Sequence, residues 1–123
     1  VSRPTAPCVL VIDDDADIRE AMCEVLADEG YAVVAVANGQ EALTYLRSVP
    51  SSKRPCVIFL DLMMPVMDGW EFRRRQLADP TLMGIPVVAI TAGGVAAAAV
   101  PVPRLLAKPL QVEHLLEVLR DHC

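Results

Sequence analysis

The stretch C56-VIFLDLMMPVMDG-W70 decides how this chain is read. Four apolar residues, Val57 to Leu60, run directly into a carboxylate, Asp61. Met63, Met64 and Pro65 follow, then Met67-Asp68-Gly69 and a polar, helix-like pattern. A short apolar run flanked by turn residues reads as a buried strand. A buried strand that ends on an acid presents that acid at an edge of its sheet.

Working outward, the same grammar recurs. Cys8 to Ile12 (CVLVI) is a short β-branched run ending at Asp13-Asp14-Asp15. Ile18, Ala21, Met22, Val25 and Leu26 then fall at helical spacing, and Gly30 stops that helix. Tyr31 to Ala37 is a second strand, and Asn38-Gly39 separates it from a helix over Gln40 to Val49. After the opening stretch a helix is predicted from Gly69 to Ala78. Ile85 to Ile90 is a fourth strand closing on Thr91. Arg104 to Ala107 is a fifth, closing on Lys108-Pro109. The last helix is predicted over Leu110 to Asp121, with Val112, Leu115, Leu116 and Leu119 on one stripe.

Apolar strands alternating with amphipathic helices predict an α/β fold with a parallel sheet covered on both faces. In such a sheet the strand carboxyl ends share one edge, where ligands bind. Asp13, Asp14, Asp61, Thr91 and Lys108 are all expected there. One crossover is short: between Gly93-Gly94 and Pro101 only Val95 to Val100 has helical potential, and six residues form a marginal helix without packing.

The length of 123 residues suits one domain. Residues 1–7 read as a linker and residues 8–123 as the domain. Apolar residues reach 54% and aromatics only 4%, so aliphatic side chains must fill the core. A net charge of -5 argues against direct nucleic-acid binding, because no basic stripe is available to release counterions. Arg73-Arg74-Arg75 is expected to be a solvated helix face. The four cysteines, Cys8, Cys23, Cys56 and Cys123, lack metal-ligand spacing and read as free thiols in a reduced, cytoplasmic setting. No signal peptide is expected. The uncharged stretch Pro80 to Pro103 is interrupted by prolines and glycines, which excludes a membrane-spanning helix.

Three carboxylates brought to one edge would raise one another's pKa unless a cation joined them. Mg²⁺ suits such hard oxygen ligands and leaves positions for waters and a phosphate oxygen. Asp61 could then act as a nucleophile toward phosphorus. Lys108 would neutralise a phosphoryl oxygen, and the Thr91 hydroxyl would donate to another.

The motifs VLVIDDDADIRE (9–20), FLDLMMPVMDGWEF (59–72), AITA (89–92) and AKPL (107–110) together resemble the receiver domain of two-component response regulators. The resemblance implies a flavodoxin-like, doubly wound sheet of five parallel strands in the order 2-1-3-4-5; the few residues between Thr91 and Lys108 depart from it, leaving the fourth crossover helix shortened or missing. It implies that Asp61 is the phosphoacceptor, taking its phosphoryl group from a histidine kinase or a histidine phosphotransfer protein. Asp13 and Asp14 match the acidic pair that holds Mg²⁺ together with Asp61 and the backbone carbonyl of Met63. Thr91 matches the switch hydroxyl, Lys108 the phosphate-binding lysine, and the Lys108-Pro109 bond is expected to be cis. The domain would switch a protein-interaction surface toward a downstream protein, with a homodimer as one available assembly. It would not be an enzyme beyond its own phosphorylation and dephosphorylation. Leu105 stands where the family usually has an aromatic residue, so the signal would pass differently. Met63 and Gly93, beside the acceptor, offer nothing to orient a water and imply slow self-dephosphorylation.

Simpler readings compete. Asp13 to Asp15 could only cap the first helix. Asp68-Gly69 reads as a turn, and Met63, Met64 and Met67 as core plugs. His114 and His122 lack partners and are given no catalytic role. A haloacid-dehalogenase-like phosphohydrolase would share the acidic first loop, but it needs inserted elements where a helix begins here. A pseudo-receiver, a phosphorylation-independent interaction module, would not need the complete Asp13, Asp14, Asp61, Thr91 and Lys108 set.

Overall fold

The computed structural model describes residues 7–91, 102 and 104–123. Its elements run β1 (Cys8–Ile12), α1 (Ala16–Asp28), β2 (Ala32–Val36), α2 (Gly39–Ser48), a 3-10 turn (Ser51–Lys53), β3 (Val57–Asp61), α3 (Gly69–Leu77), β4 (Val87–Thr91), β5 (Arg104–Ala107) and α4 (Val112–His122). The strands form one sheet in the order β2-β1-β3-β4-β5, and every pairing is parallel. This is the doubly wound α/β order that the resemblance implies. The crossover segment Val95 to Val100 and Gly93 lie outside the described residues.

The central strands are apolar throughout because the sheet is covered on both sides. The pleat divides their side chains. Leu10, Ile12, Ile58, Leu60, Val87 and Ala89 face Leu43 and Leu46 of α2 and Phe72 of α3. Val9, Val11, Val57, Phe59, Val88 and Ile90 face Met22 and Leu26 of α1 and Leu115, Val118 and Leu119 of α4. Each fully buried side chain of this size contributes about 1.5–3 kcal/mol relative to exposure.

Helix ends follow local chemistry. The Asp15 carboxylate accepts from the N–H groups of Asp17 and Ile18 and so caps α1. Asn38 caps α2 in the same manner, and Glu41 reaches back to the N–H of Ala37, completing a reciprocal pair. Asp68 caps α3 through the N–H of Glu71, so Asp68-Gly69 is a helix start and not a free turn. Gly30 ends α1 with φ of 91°, a conformation that glycine adopts without a Cβ clash.

Several expectations are corrected. The buried stripe of α4 is Leu115, Val118 and Leu119, while Val112, the first residue of the helix, is exposed. Arg73 is buried and donates to Gln76 Oε1 at 2.7 Å, whereas Arg74 and Arg75 pair with Glu71 on the surface. Gln76 in turn donates to the carbonyls of Leu82 and Ile85, both at 3.0 Å, which fastens the segment leading into β4. β4 begins at Val87: Pro86 has no N–H for the ladder, though its carbonyl accepts from Ile58. Among the methionines of the β3–α3 loop, Met67 is buried, but Met63 is 68% exposed and is no core plug.

The cysteines are the largest correction. Cys56 and Cys123 form a disulfide across 67 residues, while Cys8 and Cys23 are free. Spacing gave no sign of this, because the pairing depends on where α4 ends relative to the start of β3.

Candidate functional site: an acidic pocket at the sheet edge

The carboxyl ends of β1, β3, β4 and β5 are held in line by the sheet ladder, which continues one step past the strands. The N–H of Asp13 donates to the Val36 carbonyl at 3.1 Å, that of Leu62 to Ile90 at 3.2 Å, and that of Lys108 to Thr91 at 2.7 Å. Because Ile12 pairs with Leu60, the residues immediately after them, Asp13 and Asp61, emerge side by side. Thr91 is buried at the end of β4, in register with Ala107, and so adjoins Lys108. The Lys108-Pro109 bond is cis, as the resemblance implies.

Carboxylate oxygens of Asp13, Asp14 and Asp61 lie within 4.8 Å of one another. Asp13 is fully buried and Asp61 is 3% exposed, while Asp14 reaches solvent. Lys108 Nζ stands 3.6 Å from Asp13 Oδ2 and 3.7 Å from Asp61 Oδ1. Asp13 is further oriented by its neighbours: its Oδ1 accepts from the Asp15 N–H at 2.9 Å, and Arg19 holds its backbone carbonyl at 2.7 Å. The Asp61 Oδ1 atom also accepts from the Met63 N–H at 3.3 Å. The capping reading of the acidic triplet therefore holds for Asp15 alone, which leaves Asp13 and Asp14 free for the pocket.

The electrostatics reflect this crowding. Burial, and then the Asp13 carboxylate, push the Asp61 carboxyl up to about 6, against the opposing pull of Lys108 and the Met63 N–H. Asp13 Oδ2 is buried with no hydrogen-bond donor. A buried carboxylate oxygen facing other carboxylates and one lysine is under-compensated. Oxygen-only donors, one of them lacking a hydrogen-bond donor, fit a small hard divalent cation such as Mg²⁺.

A family model described as "Response regulator receiver domain" matches residues 9–120. This chain belongs to the response regulator receiver family. The receiver is 39% identical over 84 residues to the DNA-binding response regulator MtrA of Mycolicibacterium paratuberculosis, a match covering 68% of this chain and 34% of that protein. The chain thus spans about a third of the length of that curated relative. It superposes on the chemotaxis response regulator CheY4 of Vibrio cholerae with a TM-score of 0.83 and 31% identity, covering 97% of this chain and 100% of that one. The receiver domain of sensor histidine kinase PA1611 from Pseudomonas aeruginosa, solved with magnesium in its active-site cleft, shares the fold at a TM-score of 0.84 and 24% identity. That match covers 96% of this chain and 98% of that one. The chain is accordingly a phosphoacceptor signalling module with an acidic pocket of the kind that receivers use. Among the described residues no helix is long and apolar enough to cross a membrane.

Structure thus gathers Asp13, Asp14, Asp61 and Lys108, with Thr91 on the adjoining strand end. The sequence reading missed Arg19 and Gly69. Arg19 lies one helical turn beyond the Asp15 cap and reaches back to the strand end. Gly69, directly after the Asp68 cap, packs against the backbone beside Asp61, where a Cβ would lie 2.8 Å from the Asp61 carbonyl oxygen. A glycine immediately after a capping aspartate was the available signal.

Proposed function

We propose that this receiver accepts a phosphoryl group on Asp61 from the phosphohistidine of a kinase or phosphotransfer protein. The supporting observation is the placement of Asp61, at the end of β3 beside the Asp13 carboxylate, with Lys108 Nζ 3.6 Å from Asp13 and 3.7 Å from Asp61. An Asp61 carboxylate oxygen attacks phosphorus, the P–N bond breaks, and the imidazole leaves with the electron pair. Asp13, Asp14, Asp61 and the Met63 carbonyl are the ligands assigned to Mg²⁺. When bound, the ion would supply charge neutralisation between the attacking carboxylate and the phosphoryl oxygens. Lys108 offers a point charge to one phosphoryl oxygen. The Thr91 hydroxyl donates to another and thereby reports phosphorylation to the surface around β4 and β5.

At β5 that surface carries Leu105, 43% exposed, so an aliphatic patch takes the place of a mobile ring. A protein target that reads this patch, or a second copy of the chain, completes the signalling step.

Intact mass after incubation with Mg²⁺ and acetyl phosphate tests the assignment. One phosphoryl adduct on the wild type and none on Asp61→Asn is the expected result. An adduct that survives in Asp61→Asn overturns it; no adduct in a wild type shown to bind Mg²⁺ favours a pseudo-receiver or a strict need for the cognate phosphohistidine donor.

A further inference from the structure

At the opposite edge of the sheet from Asp61, three cysteines meet where the strands begin. Cys8 opens β1, Cys56 precedes β3, and Cys123 follows the last turn of α4. Cys56 and Cys123 are bonded, and Cys8 is free. Cys56 Sγ also lies 3.3 Å from the Cys8 carbonyl oxygen. In the disulfide that sulfur has no proton to give. Once reduced, the Cys56 thiol finds an acceptor already in place in the Cys8 carbonyl, so the sulfur left on the β3 side is not without a partner.

The bond is also approachable. Cys123 is exposed and Cys56 half-buried. Cys8 and Cys56 line a cavity of about 560 Å³ whose other walls include Tyr45, Lys53 and Arg54. Lys53 and Arg54 line the same cavity as Cys56, and a positively charged lining favours an attacking thiol that carries negative charge.

We infer that the Cys56–Cys123 bond is a reversible thiol–disulfide exchange site for small anionic thiols, and that reduction unclasps the end of α4 from β3. The thiolate attacks Cys56 Sγ and forms a mixed disulfide. The Cys123 sulfur leaves with the electron pair and takes a proton from water. A second thiol attacks the mixed disulfide at the ligand sulfur, releasing Cys56 as a thiol and the two ligands as their own disulfide. Two small thiols are oxidised and one protein disulfide is reduced. The step uses no residue of the acidic pocket and goes beyond the phosphoacceptor reading.

Glutathione is the probe, with 2-mercaptoethanol as a neutral thiol for comparison. Alkylation and intact mass should count two free thiols in the oxidised protein and four after reduction. Peptide mapping during reduction should find glutathione on Cys56. Lys53→Glu should slow reduction by glutathione about three- to tenfold at low ionic strength, while leaving the 2-mercaptoethanol rate within about twofold. Because Lys53 is exposed, this variant is expected to fold normally. Four free thiols in the air-oxidised protein would overturn the inference. So would a Lys53→Glu variant in which both rates fall equally or neither falls.

Discussion

Gly69 packs against Leu62 so tightly that a Cβ at Gly69 would lie 2.7 Å from Leu62 Cα. Its N–H also donates to the Leu62 carbonyl at 3.0 Å. The obstacle is backbone, which cannot swing aside as a flexible side chain would. Gly69→Ala should therefore destabilise the protein by about 1–3 kcal/mol, the usual range for overpacking. Chemical denaturation measures the cost. An unchanged midpoint would show that the β3–α3 loop yields freely.

The carboxyl of Asp61, raised to about 6 from an ordinary 3.8, makes stability depend on pH. Between those values the folded state holds a proton that the unfolded chain has released. The stabilisation it contributes is therefore full below about pH 4 and is lost as pH rises through about 6. Asp61→Asn removes this dependence. Melting without divalent ions should show the variant higher in Tm by about 5 °C at pH 7 and close to wild type at pH 4. Equal differences at both pH values would contradict the assignment.

Lys108 compensates two carboxylates with one charge. Lys108→Ala should cost about 1–3 kcal/mol, less than the roughly 3–5 typical of a fully buried pair. The discount applies because a quarter of the lysine side chain still reaches water. Mg²⁺ should recover more Tm in the variant than in the wild type, since it enters a pocket with an additional uncompensated charge. A smaller Mg²⁺ shift in the variant would show that Lys108 is not the resident counter-charge.

Val66 is a β-branched residue at φ of 68° and is largely exposed. A left-handed conformation is unfavourable for valine. Val66→Gly should relieve it and raise stability by about 1 kcal/mol, reduced by the greater chain entropy of glycine when unfolded. Denaturant titration reads the sign. A loss of stability would mean that the Val66 side chain contributes more by contact than its backbone costs.

Much of the architecture was visible in the residues because a two-sided parallel sheet needs uninterrupted apolar runs: Cys8–Ile12 fell as predicted, as did the half-exposed edge strand Arg104–Ala107, while the third strand, expected over Cys56–Leu60, lies one residue later at Val57–Asp61. The pocket was visible for the same reason: each polar residue stood at the end of such a run. What escaped depends on distance through space. Arg73 is internal because it shares a buried hydrogen-bond set with Gln76, which a run of three arginines does not disclose. The Cys56–Cys123 pairing follows from the lie of α4 across the sheet, and the same packing buries Val118 while Val112 stays exposed.

The parallel register has a consequence for how freely the chain can vary. Asp13 and Asp61 are neighbours because Ile12 stands opposite Leu60, and nothing in the intervening segment sets their separation. Lengthening the surface turn around Ser51–Lys53, or trimming the exposed end of α2, should leave the pocket unchanged, since doubling a loop costs only about 0.6 kcal/mol. Removing a single residue from within β3 would instead exchange its two faces and withdraw Asp61 from Lys108. The pocket therefore tolerates insertions between its parts and none within the strands that carry them.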